Sequence, residues 1–353
     1  MKFITGIICC FTVLLFSCVK NEELISAYTV PATYSYTNSD SSAKASVIMM
    51  CAMQNYLNTS VSTTISQAVV DSLWNNDSEP FTSQMVTNFL YVDTILNNMT
   101  SVYLSSLTSN ADSIKAFADS AVDNSVYYNV AGSEGVTGWQ TQSDNASTKR
   151  LFNAEGKEYS EIWYQAMLGA MAMYNTFNEL TGTATYWNMA YDYIGLPQNY
   201  DPTYDYTATP VPADRPLGIA ALFADAGKTI NAGYLVDKEL RTGRAAIDAG
   251  DSRVYNIAID TITIVIEKTV ALAAVSAFNS AIESTDIASK LHYLSQAYGL
   301  VIALNNRSTS YLTSTNYWLL REIMDGDFYT LIADSAAEDI TEARDIIADA
   351  YGL

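Results

Sequence analysis

Residues 254–283 constrain the fold more than any other stretch of the chain. Ile257, Ile262, Val265, Ile266, Val270, Leu272, Val275 and Phe278, with Ile259 and Ile264 between them, cover a helix of that length nearly all round. A helix that is apolar on every side has to be wrapped by other helices. Asp260, Glu267 and Lys268 interrupt the run, so it reads as the centre of a helical body and not as a membrane span.

Helical spacing of apolar residues recurs in residues 43–57, 80–107, 111–122 and 151–180, and again in 217–247, 286–305, 315–323 and 331–350. Residues 132–148 read as a polar, glycine-containing loop. No strand-turn-strand alternation of any length interrupts the pattern, so the expected class is all-α. Gly169 stands in the middle of a helix, where it costs about 1 kcal/mol relative to alanine, so it marks a place where a side chain would collide with a neighbouring helix. Residues 182–197 read as a short helix closed by a turn. Thr183 or Thr185 caps its start, Trp187, Ala190, Tyr191 and Ile194 share one face, and Gly195 followed by Pro197 stops it.

Five of the seven prolines fall in residues 195–216, together with Tyr200, Tyr204 and Tyr206. That crossing cannot be regular helix and divides the chain into an N-terminal half, 44–194, and a C-terminal half, 217–353. At 353 residues, the chain suits one large or two coupled helical layers. Its formal charge of −20 excludes nucleic acid as a partner, because no extended face could neutralise phosphates.

Lys2 followed by the apolar run 4–16 and the small-residue site Leu15-Phe16-Ser17-Cys18 reads as a signal peptide over residues 1–17. A cysteine directly after such a site resembles a bacterial lipobox, which implies that Cys18 is acylated and anchors the protein to a membrane. Val19-Lys20-Asn21-Glu22-Glu23 is similar to the export tag of Bacteroidota-type surface lipoproteins, implying an outer-membrane address facing the cell surface or the periplasm. Residues 18–43 then read as a tether rich in Ser, Thr, Tyr and Asn. With Cys9 and Cys10 in the signal and Cys18 lipidated, only Cys51 stays in the fold, which leaves no internal disulfide and no cysteine-based zinc site.

Three blocks together resemble domain-of-unknown-function family 4856, related to imelysin-like helical proteins. Tyr186-Trp187-Asn188-Met189-Ala190-Tyr191-Asp192-Tyr193-Ile194-Gly195 is similar to the family's His-His-Trp-Asp-Glu-Ala-Phe-Gly-Tyr-Phe-Gly pattern. Gly243-Arg244-Ala245-Ala246-Ile247 matches a Gly-Arg-Ala-Ala-Ile block. His292-Tyr293-Leu294-Ser295-Gln296-Ala297-Tyr298-Gly299-Leu300 is similar to a His-x-Leu-Ser-Glu-x-Tyr-Gly-Phe block. Glu155-Gly156-Lys157-Glu158-Tyr159 resembles the segment that precedes the tryptophan block. The resemblance implies an imelysin-like bundle of two coupled four-helix-like halves, and its wider group includes iron-regulated proteins and some labelled peptidases, with a His-x-x-Glu signature in a cleft suited to metal. This chain has Thr185 and Tyr186 where the family has paired histidines, and Asn188 and Met189 where it has the acidic pair, so the ligand set at that block is gone.

Four residues are candidates for holding an ion or ligand: Asp192, Asp260, Glu267 and His292. His292 is the only histidine in the chain; it is open to a ligand or general-base role and equally to a structural one. Asp260 and Glu267 lie one heptad apart, and as buried carboxylates they would need a cation such as iron or calcium, or an arginine such as Arg244 or Arg321. Glu158, Glu161 and Asp192 are also open to reading as a solvated face. Tyr186, Trp187 and Tyr191, with Tyr193, form an aromatic set that could stack on a planar ligand such as haem or a sugar, or simply fill the core. No zinc-protease motif, nucleophile elbow or phosphate loop is present. The expected function is an anchored accessory binding protein in iron or haem acquisition. The alternatives are an imelysin-like metal-dependent peptidase, or a non-catalytic module that holds an outer-membrane transporter or another surface lipoprotein.

Overall fold

The computed structural model describes residues 27–37, 42–143, 148–206 and 209–353. The signal peptide over 1–17 and the lipidation of Cys18 lie outside the described residues. The first helices are α1 (Ser42–Asn58), α2 (Gln67–Asn75), α3 (Asp93–Asn98), α4 (Leu104–Leu107) and α5 (Ala111–Ser125). A two-stranded antiparallel hairpin follows, β1 (Gly138–Gln142) paired with β2 (Thr148–Phe152), Trp139 opposite Leu151. Next come α6 (Tyr159–Met167), a π-helical segment Leu168–Met173, α7 (Tyr174–Glu179) and α8 (Ala184–Ile194). After the crossing, two 3₁₀ segments, Gly218–Ala224 and Ala226–Ile230, lead into α9 (Ala232–Ala249), α10 (Ser252–Glu283) and α11 (Ile287–Ala303). The chain closes with α12 (Ser314–Asp325), α13 (Phe328–Ala333) and α14 (Glu338–Tyr351).

The all-α class holds, with the hairpin as its one sheet among the described residues. The hairpin corrects the reading of residues 132–148 as a loop and shortens the helix expected from residue 151. Gly132 and Gly138 make it possible: a Cβ on Gly132 would lie 2.8 Å from the Gly138 carbonyl carbon, so the two backbones approach where only glycine fits. The long helix expected over residues 80–107 is also absent. Asn side chains there bind backbone in place of the helical ladder. Asn97 pairs with both the N–H and the carbonyl of Phe81, at 2.9 Å each, and the Asn76 amide donates to the carbonyls of Met99 and Val102, at 3.0 Å each.

Helix α10 is the centre, as its sequence requires. It is long and apolar enough to cross a membrane, yet 67% of its most apolar window is buried by neighbouring helices, chiefly α9, α11 and α14. Asp251 caps its start by accepting from Val254 N at 3.1 Å. Helix α11 lies between α10 and α6 and packs on both. The crossing of α11 over α6 and the π segment is tight. A Cβ on Gly169 would lie 2.5 Å from the Ala303 carbonyl carbon, and one on Gly299 would lie 2.5 Å from the Gln165 Cβ and 2.7 Å from the Ile162 carbonyl oxygen. The π segment loosens its own carbonyls, and neighbours take them up: Ser109 N donates to Ala170 O at 2.8 Å, and the Asn175 amide donates to Met171 O at 2.6 Å.

The proline-rich crossing begins and ends at one point, since Leu217 N donates to Gly195 O at 2.9 Å. Gly195 has φ of 90°, and a Cβ there would run into Leu217 O, so no side chain is possible. Lys44, 4% exposed, clamps the base of the crossing through Leu196 O at 2.7 Å and Asp214 at 3.1 Å. The described part of the segment read as a tether, residues 27–37, is laid against the body. Tyr34 is buried and stacks on Tyr191 with ring centroids 4.4 Å apart, and Pro31 O accepts from Arg241 at 2.8 Å. Its tyrosines make the difference, because they carry apolar area that an extended linker would leave in water.

Candidate metal centre

Helix α6 and helix α11 face each other along their length, and at one end three ligating side chains meet. Glu158 is the residue just before α6, Glu161 lies one turn on, and His292 projects from α11. One ligand atom from each lies within 4.8 Å of the others. All three are buried, with exposures of 2, 8 and 4%. Glu158 and Glu161 are therefore not a solvated face, and the reason is tertiary: their side of α6 is covered by α11.

Each member is held in place by neighbours. His292 Nδ1 lies 2.7 Å from Glu158 Oε2, so the two side chains share one proton, or one cation in its place. Arg150 from β2 reaches Glu158 Oε1 at 3.3 Å and is itself held by Gln142 across the hairpin at 3.1 Å. The Glu158 N–H donates to Ser295 Oγ at 2.9 Å, and Ser295 donates to Leu291 O at 2.8 Å. The Gln165 amide nitrogen donates to Glu161 Oε1 at 2.8 Å, while Gln165 Oε1 is buried with no hydrogen-bond partner. The hairpin, overlooked in the sequence, thus supplies the arginine side of the site.

Electrostatics tie the group together. Burial opposes the charged form of His292, but the Glu158 carboxylate, with Glu161 behind it, outweighs that and holds the imidazole above its ordinary value. Burial likewise pushes Glu158 up, and His292 together with Arg150 overcomes it, so the carboxyl stays below the usual range. With His292 protonated, two cations balance two carboxylates. A divalent cation fits by displacing the imidazolium proton, and the orphaned Gln165 oxygen is the acceptor that such an ion would satisfy. One imidazole with carboxylate and amide oxygens suits iron(II), manganese(II) or zinc. Calcium, which takes six to eight oxygens, suits this set poorly.

The other sequence candidates are not brought to this place. Glu267 is fully buried, but it accepts from the N–H groups of Ser308 and Thr309, the latter at 2.8 Å, and from the Thr309 hydroxyl. It ties down the turn after α11. Asp260 is exposed, on a side of α10 that is open to solvent even though Ala258 and Ile262 beside it are buried, so the two carboxylates share no interior gap. Neither expected arginine serves them: Arg244 pairs with Asp248 and Arg321 with Asp325. Asp192 is buried and accepts from the Tyr36 hydroxyl.

The aromatic set is core with one exception. Trp187 is fully buried, donates from Nε1 to Leu240 O at 2.9 Å, and lies so close over Gly243 that no side chain fits between. Tyr191, fully buried, donates to Pro197 O at 2.5 Å. Tyr186 is 48% exposed and points away from both. Helical spacing puts 187 and 191 on one face and 186 off it. The Trp187 and Gly243 blocks therefore meet in this fold as ring and groove.

No curated protein and no solved structure matches the chain. Residues 185–353, just under half of the chain, match the family model described as Domain of unknown function (DUF4856), a span that includes most of α8, all of α9 and the His292 helix.

Proposed function

We propose that this protein is an exported, lipid-anchored binding protein that holds a divalent transition metal, with iron(II) as its physiological cargo, at Glu158, Glu161 and His292. The observation that carries the reading is the convergence of those buried ligands beside an unsatisfied Gln165 oxygen. Holding suits the site better than turnover. A catalytic metal keeps an open position for water and substrate, and here every ligand is less than a tenth exposed. The likeness of the chain's start to Bacteroidota-type lipoproteins and of its blocks to imelysin-like proteins supports an accessory role in nutrient capture at the outer membrane, beside a transporter or another surface lipoprotein.

A second reading is favoured by Arg150. Its guanidinium already compensates Glu158, so the cluster also works as a charge-balanced structural network that locks α11 on α6. Calorimetric titration of the full chain in detergent with iron(II), manganese(II), zinc and calcium separates the two. Metal capture predicts one site per chain for the first three ions, weakened at least tenfold in Glu161→Gln. No heat with any ion overturns the metal reading and leaves the structural one.

A further inference from the structure

Trp318 on α12 is 65% exposed, more than any other large apolar side chain among the described residues. It stands at the mouth of a concavity of about 380 Å³, at the small end of the range for ligand pockets. The other walls mix polar groups, Asn110, Ser113, Asn305 and Arg321 among them, with the apolar side chains of Phe117 and Ile302. Ser109 and Asn306 lock one wall through a 2.5 Å hydrogen bond.

Two further observations single out this hollow. Arg321 uses Nη1 and Nη2 on Tyr317, Tyr298 and Asp325, yet its Nε is buried without an acceptor. The hollow also borders Ala170, in the middle of the π segment, and such segments gather at functional sites because they cost helix stability and persist where they shape a surface.

We infer that this hollow is a binding site for a neutral saccharide, independent of the metal centre. An indole face in water stacks well on the C–H face of a pyranose ring, which is apolar on that side and hydroxylated at its edge. Asparagine amides and serine hydroxyls both donate and accept, as sugar hydroxyls do. The orphaned Arg321 Nε lacks the acceptor that a sugar oxygen supplies. Asp325 compensates the Arg321 charge at 3.0 Å, so the hollow offers no net positive charge to an anion.

The five tryptophans make the test direct. Trp74, Trp163 and Trp187 are buried and Trp139 is half-buried, so the part of the iodide-quenchable emission that disappears in Trp318→Phe reports on Trp318. Iodide quenching of the full chain in detergent is measured with maltopentaose, cellopentaose, xylopentaose and mannopentaose, each at about 10 mM, well above a millimolar Kd. At least one is expected to protect the emission. Calorimetry with that sugar should find binding lost in Trp318→Ala and weakened about tenfold in Arg321→Lys, which keeps the charge but lacks Nε. Protection by none of the four sugars overturns the inference, as does protection by adenosine in their place. Unchanged binding in both variants also overturns it.

Discussion

Replacing Gly169 by alanine tests the crossing that builds the metal centre. In an ordinary helix the change stabilises by about 1 kcal/mol, because alanine has less backbone entropy to lose. Here the new methyl would sit 2.5 Å from the Ala303 carbonyl carbon, where ordinary contact begins at 3.4 Å. Helix α11 would have to retreat by at least about 0.9 Å, the difference of those two distances, since other Ala303 backbone atoms lie closer still. The obstructing atoms are backbone, so no rotamer relieves the clash and the cost falls at the upper end of overpacking, about 3 kcal/mol. Set against the propensity gain, the net loss is about 2 kcal/mol. Urea unfolding followed by tryptophan fluorescence should give a lower midpoint with an unchanged slope. Gly299→Ala opens the same crossing, so the double variant should lose less than the sum of the two single ones. A Gly169→Ala protein as stable as the parent, or strictly additive with Gly299→Ala, would refute the reasoning.

Three other outcomes follow from the same contacts. The pair of His292 and Glu158 has a defined pH window. Glu158 lies below its unfolded value, so its contribution is lost as pH falls through the folded value under about 4.5. His292 lies above its unfolded value, so its contribution is complete below about 6.5 and disappears as pH rises through the folded value. His292→Ala should therefore cost about 3 kcal/mol near pH 6, where a buried pair is broken, and remove the decline of stability above neutrality; urea midpoints across pH report both. Glu267→Gln replaces an acceptor facing two N–H groups with an amide that can turn a donor toward them. It should cost about 2 kcal/mol by thermal denaturation and speed amide exchange at Ser308 and Thr309, with metal binding unaffected. Gly243→Ala drives a methyl into the Trp187 ring, and should lower the melting temperature and red-shift the emission as the indole is displaced toward water.

Much of the fold was legible along the chain. Residues 254–283 had to be central because a helix apolar on all sides has no face to give to water. Gly169 announced a close approach because glycine inside a helix is tolerated only where something crowds it. The crossing at 195–216 was fixed by proline's missing N–H. Local grammar failed where a side chain competes for the backbone, as Asn97 does at Phe81, and where two short strands depend on a glycine contact six residues apart, as between Gly132 and Gly138.

The candidate site was legible only in fragments. His292 drew notice as the single histidine, and Glu158 and Glu161 as neighbours of a motif, but nothing in their spacing links residues more than 130 positions apart. Asp260 and Glu267 share a helical face by periodicity, yet one is exposed and the other fully buried. Periodicity gives the direction of a side chain around its helix and says nothing of what lies beside it along the axis. The sequence by itself therefore determined a helical, acidic chain with a buried central rod and a proline crossing. Which carboxylates meet the histidine, and which merely tie a turn or face the solvent, was decided by how α11 lies between α6 and α10, since burial and partnership depend on the packing of distant segments.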